Sequence, residues 1–227
     1  MPHLAMLLPR YRFDTIIDEW ANVGQFAPSV TALGQQAYVF GRAKPGCLKR
    51  LAARVASVKQ CLTHECALVQ SRGKVMLNLP AATDFSSCLP VNKFGKNRFY
   101  DGLKIEGTVE VELRTLAEIV DAMSPATIGC RLLLKLDTQG RDIEVLRGAA
   151  SPLKLVQVVV TGVLLQAIHR GAPLFPAVIE LVKANGFELS GFFPFSRNDD
   201  LRIMVADGFS VLHAGLLAPA RCASPPS

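Results

Sequence analysis

Hydrophobic residues along the chain alternate between short strand-length runs and stretches with helical spacing. Residues 15–18 and 37–40 are buried-strand runs, and a Gly-containing turn after the first run leads into a predicted helix at residues 25–33. Residues 47–58 place apolar side chains on one face and cations on the other, as an amphipathic helix does. Strands that alternate with helices predict an α/β fold with a largely parallel sheet.

The later elements show the same two periods as far as residue 209. Further predicted strands are residues 64–68, 74–79, 109–113, 131–136 and 155–160, and further predicted helices are residues 116–123, 143–146 and 173–184. Residues 187–193 and 201–209 flank a polar turn and predict an antiparallel pair. Residues 83–107 show neither period, and this stretch is long enough to be a functional loop.

Length and composition predict one domain with a buried core. The chain has 227 residues, of which 50% are hydrophobic and 19% charged. We expect the domain to cover residues 1–213, and the Ala/Pro/Ser-rich residues 214–227 to be frayed. The longest apolar stretch, residues 155–168, contains two glutamines and is shorter than the ~20 apolar residues that cross a bilayer. Residues 1–10 show no secretory signal, so the predicted location is the cytoplasm.

Six cysteines are spread along the chain without a Cys-x-x-Cys pair, and the four histidines are also scattered. This spacing does not predict a zinc site, and a chain with a large hydrophobic core does not need disulfides for stability. Cys66 and Cys130 have apolar neighbours and are predicted to be small buried hydrophobic residues. The sequence therefore predicts no metal ligands.

The net charge of +6 originates in one segment. Between Glu19 and Glu65 the chain has no acidic residue, and its basic residues are Arg42, Lys44, Lys49, Arg50, Arg54 and Lys59. We interpret this segment as a solvated helix face; the alternative is an anion-binding surface for nucleic acid, a nucleotide phosphate or an acidic membrane. Aromatic residues do not interleave with these cations as base stacking requires, which argues against nucleic acid as a partner.

Two segments place polar residues at the ends of predicted strands. Residues 18–26 run from the first strand through Gly24 into a helix, a turn that lets a nucleotide-type ligand approach the backbone. Asp137 follows the apolar run at residues 131–136, where it either faces the ligand crevice of an open α/β sheet or caps the next helix. Glu144 and Arg147 have the spacing of a surface ion pair.

Five segments, in order, resemble the FkbM family of S-adenosylmethionine-dependent methyltransferases. Residues 137–148 (Asp-Thr-Gln-Gly-Arg-Asp-Ile-Glu-Val-Leu-Arg-Gly) resemble the family signature, and residues 18–25 resemble its cofactor loop. The other three segments are residues 84–87, 171–175 and 185–189. The resemblance extends from Phe13 to Phe209.

The resemblance implies a class I methyltransferase fold: a mostly parallel seven-stranded sheet with an antiparallel C-terminal hairpin. It implies O-methylation of a hydroxyl on a sugar or secondary metabolite, with Asp137 as the base or clamp for that hydroxyl. The cofactor-binding positions that it implies are Asp18, Ala21, Asn22, Gly24, Gln25 and Arg42. The implied substrate positions are Ser86, Ser87 and His169. The expected partner is a small-molecule or glycan acceptor.

Several positions depart from the family pattern. Trp20 replaces the first loop glycine, and Arg42 replaces the acidic residue that holds the ribose hydroxyls, a role that Arg cannot fill because it accepts no hydrogen bond. Further departures are Glu19 for a small aliphatic residue, Ala117 for an acid, Gly162 for a glutamate and His169 for a tyrosine. These changes predict weak cofactor binding. They leave two functions open: an O-methyltransferase, or a methyltransferase-fold module that binds without catalysis.

Overall fold

The computed structural model describes residues 10–11, 13–19, 26, 36–40, 49, 51, 53, 61–82, 86–99, 101–123, 129, 131–149 and 151–213, and at residues 36–40 and 61–62 the backbone alone. Its strands are β1 (Thr15–Glu19), β2 (Gln36–Phe40), β3 (Cys61–His64), β4 (Ala67–Leu68), β5 (Gly73–Pro80), β6 (Ile105–Arg114), β7 (Leu132–Leu136), β8 (Val156–Leu164), β9 (Phe187–Arg197) and β10 (Ile203–Leu212). Its helices are α1 (Lys93–Arg98), α2 (Leu116–Asp121), α3 (Asp142–Arg147) and α4 (Phe175–Ala184), with a 3₁₀ turn at Pro152–Lys154.

Seven of these strands form one sheet in the order β3-β2-β1-β7-β8-β10-β9. Neighbouring strands are parallel from β3 to β8, whereas β10 is antiparallel to both β8 and β9. The sheet is therefore mostly parallel with an antiparallel C-terminal hairpin, as the sequence predicted. In parallel strands the carboxyl ends share one edge, and that edge is where open α/β sheets bind ligands.

Each face of the sheet has its own hydrophobic core. Ile17, Leu134 and Val159 point to one face, against buried residues of α2, α3 and α4. Ile16 and Leu133 point to the other face, where they join a smaller cluster that includes Phe26. Because side chains alternate along a strand, the residues that follow these at the carboxyl edge can be assigned to faces.

Local signals explain where two of the helices begin and end. Thr115 and Glu118 form a capping box at the start of α2, because each side chain accepts a hydrogen bond from the backbone N–H of the other residue. Helix α4 has a proline in its first turn and ends at Asn185, followed by Gly186 with φ of 88°. The end of this helix at residue 184, predicted from the sequence, is confirmed.

Two predictions about the middle of the chain were wrong, whereas the strand predicted at residues 74–79 is observed as β5. The single strand predicted at residues 64–68 is two short strands in different sheets: β3 belongs to the large sheet and β4 to a three-stranded sheet with the order β4-β6-β5. The second sheet also contains the strand predicted at residues 74–79. Residues 83–107 are not simply a loop, since they include α1 and the start of β6.

Other predictions fall largely outside the described residues. These include the helix at 25–33, the tail at 214–227, Cys130 and most of the basic segment, of which Lys49 is described and exposed. Lys49, Leu51 and Ala53 are helical, within the helix predicted at 47–58. Cys66 is buried as predicted, and burial raises the pKa of its thiol to about 11. In the described part of the chain, no helix is long and apolar enough to cross a membrane.

Candidate active site

The carboxyl ends of β1 and β7 bring two predicted site residues to the same edge. Glu19 ends β1 and is the Cα partner of Leu136, which ends β7, so Asp137 follows directly at that edge. Asp18 is the Cα partner of Lys135, one position earlier. Asp18 and Asp137 therefore lie at the same edge of the sheet. The other predicted cofactor residues, Ala21, Asn22, Gly24, Gln25 and Arg42, lie outside the described residues, as does Trp20.

Asp18 and Lys135 form a buried ion pair on the Ile16 face of the sheet. Lys135 Nζ donates a hydrogen bond to Asp18 Oδ1 over 2.9 Å, and the ammonium lies 5.4 Å from the centre of the Phe26 ring. Burial alone would lower the pKa of Lys135, but Asp18 and Asp137 outweigh it and raise that pKa, so the side chain stays charged. Asp18 Oδ2 is buried, and no described residue donates a hydrogen bond to it.

Asp137 is the partly exposed carboxyl of the site. Gln139 Nε2 donates to Asp137 Oδ1 over 3.2 Å. Burial raises the pKa of Asp137 to about 7; Lys135 opposes the shift, and the carboxylates of Asp142, Asp207 and Asp18 add to it. Asp137 therefore exchanges a proton near neutral pH, as a general base for a hydroxyl must.

Asp137 does not cap helix α3, which was the alternative role for this residue. The position before α3 is Arg141, and the side chains that bond the preceding turn are Thr138 and Asp142. Thr138 Oγ1 donates to Asp142 Oδ1 over 2.6 Å and accepts from the Arg141 N–H over 2.7 Å. Glu144 pairs with Arg141 at 2.5 Å rather than with Arg147, so the predicted surface pair was wrong in its partner. The side chain of Asp137 thus takes no part in capping α3, and it lies at the carboxyl edge of the sheet.

Asp207 and Gly162 complete the surroundings of Asp137, and sequence reasoning missed the first of them. Asp207 on β10 is the Cα partner of Gly162 on β8. Gly162 lies inside β8, two residues before its end, because this strand extends beyond the predicted residues 155–160. The signal for Asp207 was that it is the one charged residue of β10, between Ala206 and Gly208. The signal for Gly162 was the loss of the family glutamate there.

The predicted substrate residues Ser86, Ser87 and His169 are all buried, at 1–2% exposure. Ser87 Oγ donates to the carbonyl of Gln139 and accepts from the N–H of Leu89, both over 3.1 Å. His169 pairs with Val91 in an isolated β-bridge. Ser87 thus bonds the turn that follows Asp137, whereas Val91 pairs with the segment that holds His169. Direct contact with an acceptor stays a prediction for all three residues.

Glu19 points away from the Asp18 face. Its position next to Asp18 in β1 places it on the opposite side of the sheet, where Oε1 accepts a hydrogen bond from the Leu68 N–H over 3.4 Å. The departure from a small aliphatic residue at this position therefore changes the contact between β1 and β4. It does not put a carboxylate beside Lys135.

The strand order β3-β2-β1-β7-β8-β10-β9 is that of the class I methyltransferase fold, and solved structures share this fold. The magnesium protoporphyrin IX methyltransferase of Synechocystis, solved with bound S-adenosylmethionine, is 10% identical with a TM-score of 0.50, over 93% of this chain and 77% of that one. TehB from Haemophilus influenzae is 6% identical with a TM-score of 0.51, over 94% and 62%.

The family follows from the match to a family model. The model of the methyltransferase FkbM domain matches residues 20–189, and the chain belongs to that family. The FkbM methyltransferase structure from Methylobacillus flagellatus is 13% identical with a TM-score of 0.52, over 87% of this chain. This chain spans only 43% of that protein's length. No curated protein sequence matched the chain.

Proposed function

We propose that the protein is an S-adenosylmethionine-dependent O-methyltransferase that acts on a hydroxyl of a sugar or secondary metabolite. The family supports methyl transfer in general, and one observation supports a hydroxyl acceptor. Asp137 lies partly exposed at the carboxyl edge with a pKa of about 7. A carboxylate of that basicity takes up the hydroxyl proton near neutral pH, where an ordinary aspartate is a much weaker base.

The described part of the edge fits a cationic cofactor. Three carboxylates (Asp18, Asp137 and Asp207) surround one ammonium, that of Lys135, so the site carries an excess of negative charge when the acids are ionised. Asp18 Oδ2 is buried and receives no hydrogen bond from a described residue. Both features suit the positive charge of a sulfonium and the ammonium of its methionine portion. Asp18 is therefore the described residue that would hold the cofactor.

The roles of the residues follow from this placement. When bound, S-adenosylmethionine supplies a methyl group attached to a positively charged sulfur. Asp137 would accept the proton that the acceptor hydroxyl loses as its oxygen bonds the methyl carbon and the carbon–sulfur bond breaks, with the electron pair of that bond going to sulfur. Gln139 holds Asp137 Oδ1 by a hydrogen bond, which orients the carboxyl. Lys135 stays protonated and holds Asp18 in place.

The second function, a binding module without catalysis, is favoured by the sequence at two cofactor positions. Trp20 and Arg42 replace the glycine and the acid of the family pattern, so we propose that the natural chain binds S-adenosylmethionine weakly. Titration calorimetry of the natural chain and of the double variant Trp20→Gly/Arg42→Glu tests this. We expect at least tenfold tighter binding by the double variant, since a regained charged hydrogen-bond pair is worth ~1.5–3 kcal/mol. Equal affinities would contradict the assignment of these two positions.

Methyl transfer itself decides between the two functions. Radiolabelled S-adenosylmethionine at a saturating concentration is incubated with a panel of sugars and hydroxylated aromatic metabolites. The matched pair is the natural chain and Asp137→Asn, which keeps the shape of the side chain and removes the base. We expect transfer by the natural chain and a loss of ~10²–10⁴-fold in kcat in the variant. Binding without transfer to any acceptor would support the non-catalytic module, and equal rates would remove Asp137 as the base.

A further inference from the structure

Asp137 occupies space that exists only because residue 162 is glycine. A Cβ built on Gly162 lies 2.9 Å from Asp137 Oδ1 and 3.6 Å from its Cγ. The first distance is shorter than real Cβ contacts, so any other residue at this position would displace the carboxyl. Gly162 is not among the described glycines with positive φ, and it sits inside a regular strand. Backbone conformation therefore does not require glycine there, whereas the space does.

Asp207 faces the same space from the neighbouring strand. Lys135, Gly162 and Asp207 extend the face of the sheet that holds Leu133, Val160 and Phe209, because side chains alternate along each strand. Asp207 is half-buried, and burial raises its pKa while Lys135 opposes the shift. Among the described residues, the charged groups that act on Asp137 are Lys135 from β7, Asp142 from α3, Asp207 from β10 and Asp18 from β1.

We propose that Gly162 and Asp207 are positioning residues: Gly162 leaves room for the Asp137 carboxyl above β8, and Asp207, opposite Gly162 on β10, shares the Lys135 ammonium with Asp137. The catalytic consequence rests on the proposed O-methyl transfer, but the placement does not. With Asp207 neutral, Lys135 would stabilise the Asp137 carboxylate more strongly, and the base would be weaker. With a side chain at residue 162, Asp137 would move towards solvent and lose its bond from Gln139.

Carboxyl ¹³C NMR titration of the free protein tests the placement without cofactor or acceptor. The resonance of Asp137 is identified as the one that Asp137→Asn removes. The two test variants are Asp207→Asn, which preserves side-chain shape, and Gly162→Ala, which a strand backbone accommodates. Their matched controls are Asp200→Asn, at the exposed tip of the same hairpin, and Gly107→Ala in β6, where a Cβ meets nothing within 4 Å.

We expect the titration midpoint of Asp137 to fall to lower pH in both test variants and to stay unchanged in both controls. An unchanged midpoint in Asp207→Asn, whose fold the isosteric change preserves, would overturn the role of Asp207. An unchanged midpoint in folded Gly162→Ala would overturn the proposal that the missing side chain at residue 162 makes room for the Asp137 carboxyl.

Kinetics then separates this proposal from the proposed function. If the natural chain transfers methyl groups, the acidic limb of its kcat against pH should move to lower pH in Asp207→Asn, with at least a tenfold lower kcat in Gly162→Ala. If the natural chain transfers no methyl group but the titration midpoint of Asp137 falls in both test variants, the proposed function is contradicted and the placement of Asp137 is supported. If the natural chain transfers methyl groups but the midpoint is unchanged in the test variants, the proposed function is supported and the placement of Asp137 is overturned.

Discussion

The central strands β1 and β7 carry an acid–base pair at each end, and the two pairs differ in almost every physical respect. At the amino ends, Asp14 and Arg131 are partly exposed and 2.6 Å apart. Arg131 donates to the Asp14 carboxylate through Nη2, through Nε and through its backbone N–H. Each oxygen of the Asp14 carboxylate therefore accepts a hydrogen bond from Arg131, and the charges of the two side chains balance. The pair fastens the two strands, and water competes with it.

At the carboxyl ends, Asp18 and Lys135 are buried, and the stoichiometry is different. One ammonium is shared by Asp18, Asp137 and Asp207. Asp18 Oδ2 receives no hydrogen bond from the described residues, and the pKa of Asp137 is raised to about 7. At the amino edge, both carboxylate oxygens of Asp14 accept hydrogen bonds. At the carboxyl edge, Asp18 Oδ2 accepts none from the described residues. More acidic than basic side chains at a largely buried site is unfavourable for folding. The same excess allows the site to bind a cation or to take up a proton.

The largest expected effect comes from removing the shared cation. Lys135→Met should destabilise the protein by ~3–5 kcal/mol at pH 7, because Asp18 would remain buried without its partner. Urea unfolding followed by circular dichroism measures the change. The double variant Asp18→Asn/Lys135→Met should recover most of the loss, since no charge is then left unpaired. A loss below ~1 kcal/mol in the single variant would show that Asp18 does not depend on Lys135.

Asp137→Asn should stabilise the protein at pH 8, by about 1–3 kcal/mol. The pKa of Asp137 is about 7 in the folded chain and near its ordinary value of 3.8 in the unfolded chain. Between these values the folded state binds more protons, so the free energy of unfolding falls as pH rises from about 4 to about 7. The advantage of the variant should therefore shrink as pH falls towards 4. Urea midpoints at pH 5 and pH 8 test this, and a variant less stable at pH 8 would contradict it.

The smallest effect is expected at the amino edge. Arg131→Met should cost less than ~1 kcal/mol, because solvent stabilises the freed Asp14 carboxylate. The difference between Arg131→Met and the natural chain should narrow further in 0.5 M salt, since exposed charges are screened. Urea unfolding at two salt concentrations measures both. A cost comparable with that of Lys135→Met would mean that the two edges do not differ as described.

Much of the fold was predictable from the sequence. The strands at residues 15–18, 131–136 and 155–160 were predicted within one to four residues, because their long β-branched and leucine-rich runs bury both faces of a parallel sheet. The antiparallel hairpin at the C-terminus was predicted from its polar turn. Residues 64–68 were assigned to one strand because both short strands are apolar, and periodicity alone does not show that the chain changes sheets between them.

The candidate site was predictable only in part. Asp18 and Asp137 were found because each stands at the end of a predicted strand. Lys135 lies in the strand predicted at residues 131–136, but its burial against Asp18 could not be predicted from that pattern. Contact of Ser87 with a substrate stays a prediction, and the bond from its hydroxyl to the turn after Asp137 was not predicted. Propensity and spacing report on neighbours along the chain, and these contacts join residues far apart in it.

The sequence by itself therefore determined the strand-and-helix order, the family and the carboxylate at the end of β7, because local periodicity and a contiguous signature encode them. The tertiary structure decided which charges meet. Asp18 reaches Lys135 across 117 positions, and Asp207 comes beside Gly162 only because β10 pairs antiparallel with β8. The proton affinity of Asp137 depends on burial and on these neighbours, so it exists only in the folded chain.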